Sequence, residues 1–288
     1  MLIELFDDSR MGLGESPLWS VAEQALYWID VYAGTIHRKV LETGRRSTWE
    51  FGEEVGSIGF RAAGGLVVAA RTGLYAFDLQ TGEKTLVSNP EPELPRNRLN
   101  DGKVDRQGRY WSGSLQTGEY APVGSLWSFK KGRSTKIISG ITIANGLCFS
   151  PDGRTMYFTD SPSGMLEAFD LDIATGLASN RRVLAAIPDG RGLADGATVD
   201  ADGTLWCANI DGGRILGLKP EEGWFASVDL PVTRPTSCAF GGPSMDILFV
   251  TTATSRLGEE QLLEQPWAGC VLAIKGLGAT GLQEPEYQ

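Results

Sequence analysis

The chain has 288 residues, one histidine, four cysteines and a formal charge of −10 from 26 basic and 36 acidic side chains. So acidic a balance argues against binding nucleic acid, whose phosphate backbone is held by basic patches that release counterions; it is also an ordinary device for solubility. With His37 as the lone histidine, Ser-His-Asp catalysis, a histidine-held zinc hydrolase and a haem site all fall away.

In chain order, the first element is a short strand, Leu2-Ile3-Glu4-Leu5-Phe6, with no partner of its own. A unit then recurs. An apolar residue ends a short strand at Trp19, Phe60, Val104, Phe149, Val199 and Phe240, and these anchors lie 41 to 50 residues apart, the length of a four-stranded propeller blade. A turn follows each anchor, clearest as Ser150-Pro151-Asp152-Gly153 and Asp200-Ala201-Asp202-Gly203. Next comes a second strand rich in β-branched and aromatic residues, such as Leu26-Tyr27-Trp28-Ile29 and Met156-Tyr157-Phe158-Thr159. A third is recognisable as Leu74-Tyr75-Ala76-Phe77 or Leu166-Glu167-Ala168-Phe169, and a fourth closes the unit. His37 falls in the third strand of the first unit, and Glu259 to Glu264 is the one short helical candidate.

The last unit lacks a fourth strand after Cys270-Val271-Leu272-Ala273-Ile274, so the spare N-terminal strand is expected to complete it. The expectation is an all-β, six-bladed β-propeller spanning 1–288 as a single domain, its ring closed by that strand so that no edge is left unpaired. Cys148, Cys207, Cys238 and Cys270 lie on strands without C-x-x-C spacing and read as buried, reduced thiols. Trp19, Trp28, Trp111 and Trp206 read as core. No secretory leader pattern is present, and no apolar run approaches the roughly 20 residues of a membrane helix, so a cytoplasmic protein with no membrane partner is expected.

Counting back four residues from each anchor gives Glu15, Gly56, Asn100, Asn145, Asp195 and Thr236. Inner strands line one channel in a propeller, so these positions converge at one mouth. Two carboxylates and an amide carbonyl, from Glu15, Asp195 and Asn145, are hard oxygen donors suited to Ca²⁺, Mg²⁺ or Mn²⁺, with Zn²⁺ also allowed. Asp101 competes with Asn100, because a one-residue bulge would exchange them.

Several motifs, in order and spacing, make the chain resemble the senescence marker protein/regucalcin/gluconolactonase family from about Glu15 to Gly281. They are Gly14-Glu15-Ser16-Pro17-Leu18-Trp19, Arg98-Leu99-Asn100-Asp101-Gly102, Asn145-Gly146-Leu147, Ser150-Pro151-Asp152-Gly153, Asp195-Gly196 and Cys238-Ala239-Phe240-Gly241-Gly242. The resemblance implies a single divalent cation held by Glu15, Asn145 and Asp195, and a substrate side formed by Arg98, Asn100 and, less directly, Glu119. The chain departs from the family's usual Gly-Glu-Gly-Pro at Ser16 and from its Pro-Asp-Gly at Ala194, and neither change removes a donor.

The expected activity is hydrolysis of a sugar-acid or related small lactone, with the cation (Ca²⁺ first) polarising the carbonyl and Asp195 taking the proton of the attacking water. Arg98 and Asn100 would bind the substrate's oxygens, and Glu119 a hydroxyl. Alternatives are a metal-dependent phosphotriesterase and a calcium-binding propeller without catalysis. The loops Asp30-Val31-Tyr32, Ser161-Pro162-Ser163, Ile210-Asp211-Gly212 and Ala253 to Gly269 should wall the pocket, with Leu262, Leu263 and Trp267 as its cover.

Overall fold

A computed structural model describes residues 1–118 and 121–288. Its strands form six four-stranded antiparallel sheets, each ordered as it occurs in the chain except the last. The innermost strands are Gly14–Ser20, Val55–Phe60, Asn97–Val104, Ala144–Phe149, Leu193–Val199 and Pro235–Gly241, heading blades one to six. In blade six, Leu2–Asp7 lies outermost against Val271–Lys275, with Leu2 opposite Lys275 and Leu5 opposite Leu272. The N-terminal strand thus closes the ring, as its unpartnered position in the sequence implies.

Alternating side chains from facing blades fill the gaps between them, because each sheet is apolar on both faces. Leu18, Tyr27, Ile58 and Val68 pack between blades one and two, and Trp111, Leu126, Phe149 and Phe158 between three and four. At the closure, Trp19 stacks on Phe249 with ring centroids 5.4 Å apart, and Phe6 of the N-terminal strand meets the same ring edge-on at 4.8 Å. The four tryptophans named above are all buried, though only Trp19 sits on an innermost strand.

The hairpin turns explain why aspartate follows two of the anchors. Asp105 accepts the backbone N–H groups of Gln107 and Arg109 through Oδ1, while Oδ2 accepts the Trp111 indole at 2.9 Å and the Arg109 guanidinium at 2.8 Å. Asp200 repeats the design with Asp202, Thr204 and the Trp206 indole. One carboxylate therefore shapes the turn and fixes a core indole. The four cysteines are free and buried. His37 stacks on Trp28 at 5.5 Å between hydroxyls of Thr35 and Thr48, and burial holds its pKa below the usual value.

Beyond the last strand, the C-terminal segment runs across the face on which the inner strands end. Gly281 donates to Met245 O in blade six, and Ala201 of blade five donates to Thr280 O. Tyr287 then pairs with Phe60 and Ala62 of blade two, and Gln288 donates to Gly108 O of blade three. Between these anchor points Glu284 reaches Lys103 at 3.1 Å, and Lys103 also donates to Ala197 O at 3.2 Å. The axial channel, lined by Ser16, Asp101, Lys103, Ser237 and Glu284, is left with a space of about 20 Å³, room for about one water molecule.

Candidate active site

The opposite face carries the starts of the inner strands. In every blade the pairing of the first strand with the second gains one residue near the axial position: between Glu15 and Leu18, Val55 and Ser57, Leu99 and Gly102, Asn145 and Cys148, Ala194 and Ala197, and Pro235 and Ser237. A bulge of this kind kinks the strand and re-aims its side chains. The repeated bulge turns an ordinary ladder position into one that faces the axis.

Loops leading into the bulges are held by a second set of polar residues. Asp30 accepts the N–H groups of Gly12 at 2.9 Å and Leu13 at 3.2 Å, just before Glu15. Asp160 does the same for Thr142 and Ile143 ahead of Asn145, and Asn209 donates to Leu193 O ahead of Asp195. Asp30 and Asp160 end the second strands of their blades and Asn209 is the last residue but one of its own, a recurrence present in the sequence that the anchor count passed over.

Within the mouth a chain of hydrogen bonds crosses three blades. Arg98 Nη1 donates to Asn100 Oδ1 at 2.6 Å, Asn100 Nδ2 donates to Asn145 Oδ1 at 3.0 Å, and Asn145 Nδ2 donates to Ser161 Oγ at 2.8 Å. Ser161 Oγ in turn donates to Ala194 O at 2.7 Å, beside Asp195. Every amide in the series is oriented by its neighbours, and Asn145 is fixed with its carbonyl oxygen toward Asn100. Ser161, expected only as part of a pocket wall, is the joint between blades four and five.

Asn100 and Asp101 both fall in the bulge, and they part company there. Asn100 joins the mouth network, while Asp101 Oδ2 accepts the Leu147 N–H at 2.9 Å and its side chain lines the axial channel. Among the described residues no three His, Cys, Asp or Glu side chains gather into a metal-holding group. A cation at Glu15 and Asp195 would therefore take its third protein donor from an amide, and Asn145 supplies one.

Electrostatics at the mouth are those of negative charge held close together out of water. Burial, then the carboxylates of Asp195 and Asp101, push Glu15 well above the usual carboxylate range. Burial and Asp101 do the same to Asp195, with Arg234 acting against them. Asp101 is raised by burial to about 6. Such a group of acids is the arrangement that a divalent ion relieves. Arg98 is itself buried, lies within reach of the charges of Glu54 and Glu15, and lines a hollow of about 190 Å³ beside the proline-rich 89–95 loop.

The proposed cover of the pocket is only partly as expected. Glu259–Glu264 is helical, but Leu262 and Trp267 pack against the core between blades five and six, and Leu263 is 84% exposed. The loop braces blade one instead, through Met11 N to Gly269 O and Thr254 N to Met11 O. Glu119 lies outside the described residues.

A family profile described as SMP-30/Gluconolactonase/LRE-like region matches residues 13–254. A 6-deoxy-6-sulfogluconolactonase of Pseudomonas putida is 38% identical over 96% of this chain and 94% of its own length. A regucalcin of Xenopus laevis is 34% identical over 97% and 96%. The crystal structure of a regucalcin from Agrobacterium tumefaciens, described as a calcium-binding protein, superposes with a TM-score of 0.95 at 30% identity, covering 99% of this chain and 96% of that one. With likeness of this extent along nearly its whole length, the chain belongs to the SMP-30/gluconolactonase/LRE-like family.

Proposed function

We propose that the protein hydrolyses a sugar-acid lactone at the mouth of the propeller, using one divalent cation held by Glu15, Asn145 and Asp195. What supports this reading is that the half-buried Glu15 lies within reach of the charge of the buried Asp195, and that the oriented Asn145 carbonyl adjoins the Arg98–Asn100 pair. The family's named lactonase relative, whose substrate is a sulfonated gluconolactone, supports the reaction class. The calcium-binding description of the Agrobacterium neighbour supports Ca²⁺ as the first ion to try.

When bound, the cation supplies Lewis-acid polarisation of the lactone carbonyl and lowers the pKa of nearby water. Asp195 accepts a proton from water as its oxygen adds to the carbonyl carbon. The ring C–O bond then breaks, the proton passes to the departing ring oxygen, and the open-chain hydroxy acid leaves. Arg98 and Asn100 hold the substrate's oxygens, and their mutual hydrogen bond keeps both preorganised for the developing charge. The reactants are a small-molecule lactone and water; no nucleic acid or membrane takes part.

A test strips the protein with chelator, restores Ca²⁺, Zn²⁺, Mn²⁺ and Mg²⁺ one at a time, and follows acid release from a panel of sugar lactones. Metal-dependent hydrolysis of at least one lactone is expected. A panel with no metal-dependent turnover would leave the calcium-binding alternative as the better reading.

A further inference from the structure

The repeat places another residue at the mouth besides the axial set. Arg98 stands six positions before its anchor, and the residues equivalent to it in the other blades are Leu13, Glu54, Ile143, Leu193 and Arg234. Two of six are arginines, and they belong to blades three and six, which face each other across a six-membered ring. Both are buried, each 6% exposed.

Their surroundings differ. Arg98 is occupied by Leu99 O and Asn100 Oδ1 on its own strand. Arg234 Nη1 meets Asp211, a residue of the blade-five loop at the same mouth whose side chain is 49% exposed and whose φ is +62°. Arg234 Nε is buried and has no acceptor among the described residues. The charge of Arg234 reaches Asp195. A nearly buried guanidinium thus sits at the edge of the site, held by a half-exposed carboxylate on a loop and with donor capacity left over. A carboxylate so placed can be displaced by another oxyanion, since swinging it into water costs little, whereas the arginine cannot follow it out.

We propose that Arg234 is a specificity-determining residue that binds an oxyanion on the substrate, at the end of the molecule remote from the lactone carbonyl, in the place Asp211 holds in the free protein. This rests on the lactonase reading and deepens it: the preferred substrate class is a sugar lactone whose exocyclic carbon bears an anionic group such as sulfonate or phosphate. Arg98 and Asn100 grip one side of the ring, and Arg234 captures the charge on the opposite side.

The test compares D-gluconolactone with its 6-phosphate and its 6-deoxy-6-sulfonate on metal-loaded wild type, Arg234→Met, Arg234→Lys and Asp211→Asn, with a thermal melt on each variant. Loss of a charge-assisted contact is expected to lower kcat/KM for the anionic lactones about 10- to 100-fold in Arg234→Met, with only a few-fold loss for the neutral one. Arg234→Lys should recover part of that difference. Asp211→Asn, which removes the competing carboxylate, should lower KM for the anionic lactones. The ratio between phosphate and sulfonate identifies which oxyanion the subsite fits. Equal losses for neutral and anionic lactones in Arg234→Met, or an Asp211→Asn variant that loses anionic selectivity alongside it, would make the pair a structural brace and overturn the proposal. Wild type that hydrolyses none of the three lactones with any metal would instead remove the underlying lactonase reading, and the inference with it.

Discussion

Asn100 is the residue on which the mouth turns. It receives Arg98 on one side and fixes Asn145 on the other, so its loss should free both partners at once. Asn100→Ala is expected to lower kcat/KM about 10- to 100-fold while leaving the melting temperature nearly unchanged, as steady-state kinetics beside a thermal melt will check. Asp195→Asn keeps an oxygen donor but removes the proposed base, so turnover should fall by about 10³-fold or more while the fold survives, as far-ultraviolet dichroism will report. The positions reached by counting along the repeat all fall at or beside the bulges of the inner strands, because an apolar anchor and a turn fix the register from one side. Counting left Asn100 and Asp101 undecided, because a bulge carries no residue signature of its own, and both side chains are polar. Ser16 shows the same limit: it stands where the family has glycine and adopts φ +50°, and its Oγ accepts the Ile58 N–H at 2.9 Å. The sequence marked the departure, but the hydrogen bond that accompanies a left-handed serine is visible only in three dimensions.

At the scale of the element, the blades depend on their first hairpins. Asp105 serves four donors with one buried carboxylate, including the Arg109 guanidinium, so Asp105→Ala leaves an indole N–H without an acceptor and a buried cation without its counter-ion, held only by the carbonyls of Ile173 and Ala174. A loss of about 3–5 kcal/mol is expected by denaturant unfolding. Asp200 lacks the arginine, and Asp200→Ala should cost less, about 1–3 kcal/mol. Strands and turns were legible here because alternation, Asp-Gly pairs and the blade-length repeat agree. The loop from Ala253 to Gly269 was not. Its apolar residues suited a lid as well as a brace, and only their contacts with the core between blades five and six decide between the two.

For the whole molecule, two terminal segments lock the ring from different sides. The N-terminal strand adds the outer edge of blade six, and the C-terminal segment ties blades two, three, five and six together beneath the channel. That lower strap was not read from the sequence, since an extended segment with few apolar residues resembles a loose tail until its backbone partners are known. Glu284→Met leaves Lys103 without its ion pair in the channel and is expected to cost about 2 kcal/mol, lowering the melting temperature by roughly 4–8 °C. At the other end of the channel, Asp101 is raised to about 6, so the folded state binds its proton more tightly than the unfolded chain does. Without metal, stability should therefore fall as pH rises from about 4 through 6, and melts in chelator across that range will show it.

Calorimetric titration of Ca²⁺ into chelator-stripped wild type, Glu15→Ala and Asp195→Ala, which remove the oxygen donors outright, with lactone turnover followed on the same samples, decides whether the two carboxylates share an ion. One ion should bind wild type and restore hydrolysis, and each variant should lose most of both. Variants that bind the ion as wild type does would mean that Glu15 and Asp195, on separate blades, share no cation.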